Sequence, residues 1–212
     1  MCEVVQKGTK TSEAKSRGRP RAYDPQVALT RAAEKFWKAG YAGTSLDDLV
    51  EATGMNRPSL YAAFGDKRNL YLKTLEHYRD QGRELARGAL VGNPTLRVFL
   101  KRFYDRALEL YFEDGPRGCY SIGTAATVAA VDDGVRAFLA DSMRTTDSFL
   151  KHQIEKAKER GEISRDADPA ALAYLATATL HTLAIRSRAG LSRKELQGLA
   201  TAAIDVICGK AR

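Results

Sequence analysis

From Asp24 onward the apolar residues recur at helical spacing almost without interruption. Leu29, Ala32, Ala33 and Phe36 fall at i, i+3, i+4 and i+7, and Gly40 follows as a stop. A short second helix carries Leu46, Leu49 and Val50, with Thr44 or Ser45 as its cap and Gly54 at its end. Asn56 caps a third, with Arg57 and Pro58 in its first turn and Leu60 and Phe64 as its buried pair. Gly65 breaks the chain again, and Asp66 caps a longer helix through Leu70, Leu75 and Tyr78. Gly88 and the run Gly92-Asn93-Pro94 mark the next boundary. Beyond it the pattern predicts helices near 94–112, 118–130, 133–160, 169–188 and 192–208. No stretch alternates at period two. The expected fold is therefore all-α, with about nine helices in total.

Composition changes this picture in one respect. The apolar share of 44% is ample for a core, and the net charge of +8 is unevenly placed. Residues 1–22 carry six cations against two acids, whereas residues 23–80 are balanced at eight of each. A basic, apolar-poor arm on a nearly neutral body implies a polyanion held at one place, and the arm itself is expected to be disordered when free. Three scattered cysteines exclude a disulfide framework and suit a reducing compartment. With no apolar run of membrane-spanning length and no signal-peptide core, the expectation is a cytoplasmic protein without a membrane partner. His77, His152 and His181 show no metal-ligand spacing, and no cofactor is implied.

Residues 44–64 are the informative part. Two short helices joined by a tight glycine-containing turn are the signature of a helix-turn-helix, and Gly54 suits the left-handed backbone such a turn needs. Leu46, Leu49, Leu60 and Phe64 supply the apolar wedge. The outward face of the third helix is left with Arg57, Pro58, Ser59, Tyr61 and Ala62, a surface without carboxylates, as a helix in the major groove requires.

The stretches Gly40-Tyr41-Ala42-Gly43-Thr44-Ser45-Leu46, Ala52-Thr53-Gly54-Met55 and Ser59-Leu60-Tyr61-Ala62-Ala63-Phe64-Gly65-Asp66-Lys67 closely resemble the TetR family of bacterial regulators. The resemblance is dense over residues 25–75 and implies a repressor that leaves its operator when a small molecule binds the C-terminal body. It places Thr44 and Tyr61 at phosphates, with Ser45 in the same DNA-facing set, and gives Lys67 the role of a phosphate-binding lysine. Alanine at both 62 and 63 departs from the family's habit of bulky or polar side chains there. Base reading then rests on Asn56, Arg57 and Ser59, with Pro58 or Ala62 against thymine methyls. Arg17-Gly18-Arg19-Pro20-Arg21 resembles an AT-hook, so Arg17, Arg19 and Arg21 are expected in a flanking minor groove; the alternative is a solubilising tail.

The expected organisation is a basic arm (1–22), a helix-turn-helix domain (23–70) and a helical ligand-binding and dimerisation domain (71–212). Candidate cavity residues are Phe103, Tyr104, Tyr111, Cys119, Tyr120, Phe149, His152, Tyr174 and His181, although buried aromatics mostly just pack. The helix from Ala170 to Ile185 is apolar nearly all round, so it is buried on more than one side. With the stripe Leu196, Leu199, Ala203, Ile204 and Ile207 of the last helix it forms the expected homodimer interface. Cys119 follows Arg117 and opens a predicted helix; both features favour thiolate, which would make the thiol a sensor of electrophiles or oxidants. The alternative is a small packed residue.

The leading reading is a homodimeric, effector-responsive repressor on a palindromic double-stranded operator. Alternatives are a thiol-sensing repressor and a non-specific architectural DNA binder. An enzyme is not expected, because no nucleophile elbow, zinc-protease helix, phosphate loop or dinucleotide fingerprint is present.

Overall fold

A computed structural model of the chain describes residues 24–209. These residues form nine α-helices and no named strand: α1 (Pro25–Ala39), α2 (Leu46–Thr53), α3 (Arg57–Phe64), α4 (Lys67–Ala89), α5 (Leu96–Phe112), α6 (Ala126–Val128), α7 (Asp133–Glu159), α8 (Pro169–Arg188) and α9 (Arg193–Cys208). A π-helical turn, Ser121–Ala125, precedes α6. The basic arm with Arg17, Arg19 and Arg21 lies outside the described residues.

The helix starts are set locally. Asp24, Ser45, Asn56, Asp66, Thr95, Asp132, Asp168 and Ser192 each accept a backbone N–H of their own first turn, satisfying donors that the helix cannot. Ser45 rather than Thr44 caps α2, in a reciprocal capping box with Asp48.

Two apolar clusters divide the molecule. The first joins α1–α3 to the N-terminal half of α4 through Phe36, Trp37, Leu49, Leu60, Phe64, Leu70, Tyr71, Leu75 and Tyr78. It also recruits Tyr120, Ala125, Val128, Val135 and Phe138 from the middle of the chain. The second packs the far end of α4 with α5, the later turns of α7, α8 and α9. The dividing line crosses α4 between Tyr78 and Ala86, so the boundary expected at residue 70 falls inside the first cluster.

One expected element differs. The helix expected over 118–130 is shortened to a helical run over 120–128, with the π-turn in its middle and the three-residue α6 at its end. Gly118, at φ +64°, passes so close to α8 that a Cβ there would stand 2.4 Å from the Ala184 carbonyl oxygen. That close passage, in a backbone conformation side chains rarely adopt, delays the helix start to Tyr120.

Candidate DNA-binding face and effector cavity

The helix-turn-helix is built on α1. Gly54 takes the left-handed conformation (φ 69°, ψ 13°) and its N–H closes on the Val50 carbonyl, so α2 and α3 are joined by three residues only. Leu49, Met55, Leu60 and Phe64 are buried with Ala32 and Phe36 of α1. That leaves Asn56, Arg57, Pro58, Tyr61 and Ala62 on the outside, with Tyr61 44% exposed. Ser59 is half-buried and donates its backbone N–H to the Asn56 cap. Arg57, the only charged residue of α3, is held by Asp47 of α2, with Nε and Nη2 at 3.2 and 2.6 Å from the same carboxylate oxygen.

Three expected DNA contacts are placed as follows. Thr44 is a correction: its side chain is buried and its hydroxyl donates to the Gly40 carbonyl at 2.7 Å, so it closes the α1–α2 turn and offers nothing to a phosphate. Ser45 is exposed, but its hydroxyl is engaged in the α2 cap. Lys67, the first residue of α4, extends over the Tyr41 ring at 4.5 Å, and partial burial pulls its pKa below the ordinary lysine value.

The body contains a cavity of about 360 Å³ lined by α4, α5, α7, α8 and the 119–122 segment and open to solvent on one side. Of the residues expected there, Phe103, Tyr111, Cys119, Phe149 and His181 lie on its wall. The remaining four are corrections. Tyr104 is buried and donates to the Ala176 carbonyl at 3.0 Å, tying α5 to α8. Tyr120 points into the first cluster, between Trp37, Tyr71 and Tyr78, with its hydroxyl 2.8 Å from that of Thr74. His152 is exposed on α7, and Tyr174 is 64% exposed on α8. The cavity also takes wall residues that were not expected: Tyr78, Arg79, Arg83 and Arg87 of α4, and Ser142 and Met143 of α7. The four-residue repeat of arginines on α4 was the available signal for a helix that leaves the first cluster and then borders a cavity.

Cys119 has only one of the two neighbours expected to favour its thiolate, the helix start and not the Arg117 cation. The Arg117 guanidinium stacks on Trp37 at 3.8 Å, binds both oxygens of Glu34 at 3.0 and 2.8 Å and also meets Glu113, so it is spent on α1 and the preceding loop. The sulfur does stand at a helix start: Tyr120 is already helical, the Cys119 carbonyl accepts the Gly123 N–H at 2.8 Å, and the Ser121 and Ile122 amides turn toward the thiol. The Tyr78 and Tyr111 hydroxyls and the Ser121 and Ile122 amides all hydrogen-bond it, yet burial outweighs them and pushes the thiol above its ordinary value.

On α9, Leu196, Ile204 and Ile207 are buried against the protein's own α5 and α8, which corrects their assignment to a partner. Leu199 and Ala203 are half-buried beside them. On these two helices the large apolar side chains left on the surface are Tyr174, Leu175 and Ile185 of α8 and Val206 of α9.

Specific ties fasten α4 to the middle of the chain. Arg68 in the first turn of α4 makes two hydrogen bonds to Asp132, the α7 cap, and Arg79 reaches Asp141 at 3.2 Å. The π-turn is fastened to α4 by two tyrosine–threonine pairs, Tyr71 with Thr124 and Tyr120 with Thr74, each at 2.8 Å. Among the described residues no group of histidines, cysteines and carboxylates is arranged to hold a metal, and no helix is long and apolar enough to cross a membrane.

Known proteins resemble this arrangement over most of its length. Residues 28–74 match the family model for bacterial regulatory proteins of the tetR family, and residues 92–203 match that for the tetracyclin repressor-like C-terminal domain. The chain is 31% identical over 196 residues to the HTH-type transcriptional repressor ComR of Escherichia coli, covering 88% of this chain and 90% of that one. It is 31% identical over 159 residues to the uncharacterized HTH-type regulator YezE of Bacillus subtilis, covering 74% and 81%. Among solved structures, a cysteine-substituted TetR family regulator CifR, complexed with a 26-base-pair operator DNA, superposes with TM-score 0.81 at 30% identity, covering 88% and 98%. The reduced form of Escherichia coli NemR shares the fold, with TM-score 0.75 at 18% identity.

Proposed function

Since the chain belongs to the TetR family of transcriptional regulators, we propose that it acts as a homodimeric repressor that grips a palindromic operator through α3 and releases it when a small molecule fills the body cavity. The observation that carries this reading is the double duty of α4. Its first half, Leu70 to Tyr78, is core for the helix-turn-helix, while Tyr78 to Arg87 is cavity wall. A ligand that spreads the wall therefore acts on the same rigid helix that carries Lys67 and supports α3. Proteins respond to a ligand only through its differential affinity for two arrangements, and the α4 ties to Asp132, Asp141 and the π-turn are the contacts such arrangements would exchange.

Operator recognition is assigned to Asn56, Arg57, Pro58, Ser59 and Tyr61, with Lys67 on the backbone and the 1–22 arm in flanking grooves. Dimerisation is assigned to the exposed apolar stripe Tyr174, Leu175, Ile185 and Val206, which on a monomer would be left to water. Binding of operator DNA by the similarly folded CifR supports the first assignment.

Genome-wide footprinting of the wild-type chain and of Tyr61→Ala tests the reading. A shared palindromic motif occupied by the first and lost by the second is the expected result. Occupancy without a common motif, or unchanged in Tyr61→Ala, would overturn it.

A further inference from the structure

The cavity wall divides into two chemistries. Most of it is apolar, formed by Phe103, Leu110, Met143, Phe149 and Leu180 among others. Along α4, however, Arg79, Arg83 and Arg87 recur every four residues, so a single helical stripe brings three guanidinium groups to the wall. No carboxylate lines it; the partners of these arginines, Asp141, Asp80 and Glu84, all stand outside.

Two wall residues hold polar atoms that are buried and unpartnered, Arg79 Nε and Ser142 Oγ. The Arg79 guanidinium is not loose: its Nη1 is on Asp141 and its carbon lies 4.7 Å from the centre of the Phe138 ring. One N–H of a fixed cation is thus left without an acceptor, and a hydroxyl of α7 on the same cavity wall is in the same condition. Buried groups of this kind carry a desolvation penalty that an incoming oxygen relieves.

We propose that the effector is a monocarboxylate with an apolar body, whose carboxylate accepts from Arg79 Nε and Ser142 Oγ while the body lies among Phe103, Met143, Phe149 and Leu180. This rests on the reading of the cavity as the effector site. A cavity of about 360 Å³ holds a medium acyl chain or a fused pair of rings. One carboxylate suffices, because Arg83 and Arg87 are already paired with Asp80 and Glu84, and they contribute attraction rather than open donors. Seated there, the ligand shares Arg79 with Asp141 and weakens a tie between α4 and α7.

The test is calorimetric titration of the full chain near neutral pH with octanoate, octanamide, 1-naphthoate and 1-naphthamide. Hydrogen bonds to a charged group predict that each acid binds about tenfold or more tightly than its amide. Arg79→Gln should erase that preference and leave the amide bound as before, and Ser142→Ala should reduce it. Asp141→Asn, which unties the guanidinium without removing it, should keep it. If Arg79→Gln does not fold, as judged by circular dichroism, the Ser142→Ala and Asp141→Asn pair decides. Equal binding of acid and amide, a preference that survives Arg79→Gln, or no binding of any probe overturns the proposal. Acids that bind as expected but leave a DNA fragment selected by the protein itself still bound would uphold the carboxylate site and defeat the effector reading. Release of that fragment by acid and amide alike would do the reverse.

Discussion

Arg68 and Asp132 join the start of α4 to the start of α7, and the same aspartate does a second task. One carboxylate oxygen accepts from Arg68 Nη2 at 2.8 Å and from the Val135 amide at 2.9 Å; the other accepts from Arg68 Nε. The start of α7 and the start of α4 are thereby fixed by a single side chain.

Asp132→Ala should lose both. Removal of a helix cap alone costs about 1 kcal/mol, and the melting temperature should fall accordingly. The Arg68 guanidinium and the backbone amides hold the Asp132 pKa down to about 2, from 3.8. A depressed carboxylate stabilises the fold above its unfolded value and loses that contribution as pH falls through its folded one. Thermal melts from pH 5 to about pH 2 should therefore show a wild-type decline that is shallower in Asp132→Ala.

Arg57 is given to Asp47 in the free protein, and DNA must take it away. Arg57→Ala should weaken specific binding by about 1–3 kcal/mol and relax preference at one position per half-site. Asp47→Ala should strengthen binding to unrelated DNA. Lys67→Ala should instead weaken binding to all sequences and lower the salt slope by about one unit. Fluorescence anisotropy on specific and random duplexes across a salt series separates the two.

On α8 and α9 the decisive contrast is between surface and core. Ile185 and Val206 are 58% and 69% exposed, whereas Ile204 is buried. Ile185→Asp combined with Val206→Asp should give folded monomers by sedimentation, with operator affinity lost. Ile204→Asp should unfold the chain, because a lone buried carboxylate is too costly.

Burial raises the Cys119 thiol, and that of Cys208 to about 11. Only the thiolate alkylates rapidly, so at pH 8 both should react with iodoacetamide more slowly than a free thiol, and at the ordinary rate once unfolded. Peptide mass spectrometry reads each site; a fast native Cys119 would restore the thiol-sensing alternative.

The helix caps and the turn at Gly54 were legible in the sequence because each is local: Ser45, Asn56 and Asp66 act on their own next turn. The outward Tyr61 followed from Leu60 and Phe64 claiming the other face. What was not legible depends on which neighbour an apolar stripe meets. Leu196, Ile204 and Ile207 have the spacing of an interface and of a core, and only the packing of α5 beside α9 decides for core. Tyr104 and Tyr120 were taken from the cavity by backbone and hydroxyl partners 72 and 46 residues away. The shortening of the expected 118–130 helix likewise answers to α8, which Gly118 touches.

In the proposed dimer, two copies of α3 read a two-fold symmetric sequence. Selection of the purified chain against a random duplex pool, sequenced and followed by measurement of the complex's stoichiometry, tests it most directly. The account predicts an inverted repeat whose half-sites lie about one duplex turn apart, roughly 34–36 Å, bound by chains in even number and no longer enriched by Tyr61→Ala. A single asymmetric motif bound by one chain, or no enrichment at all, would contradict it.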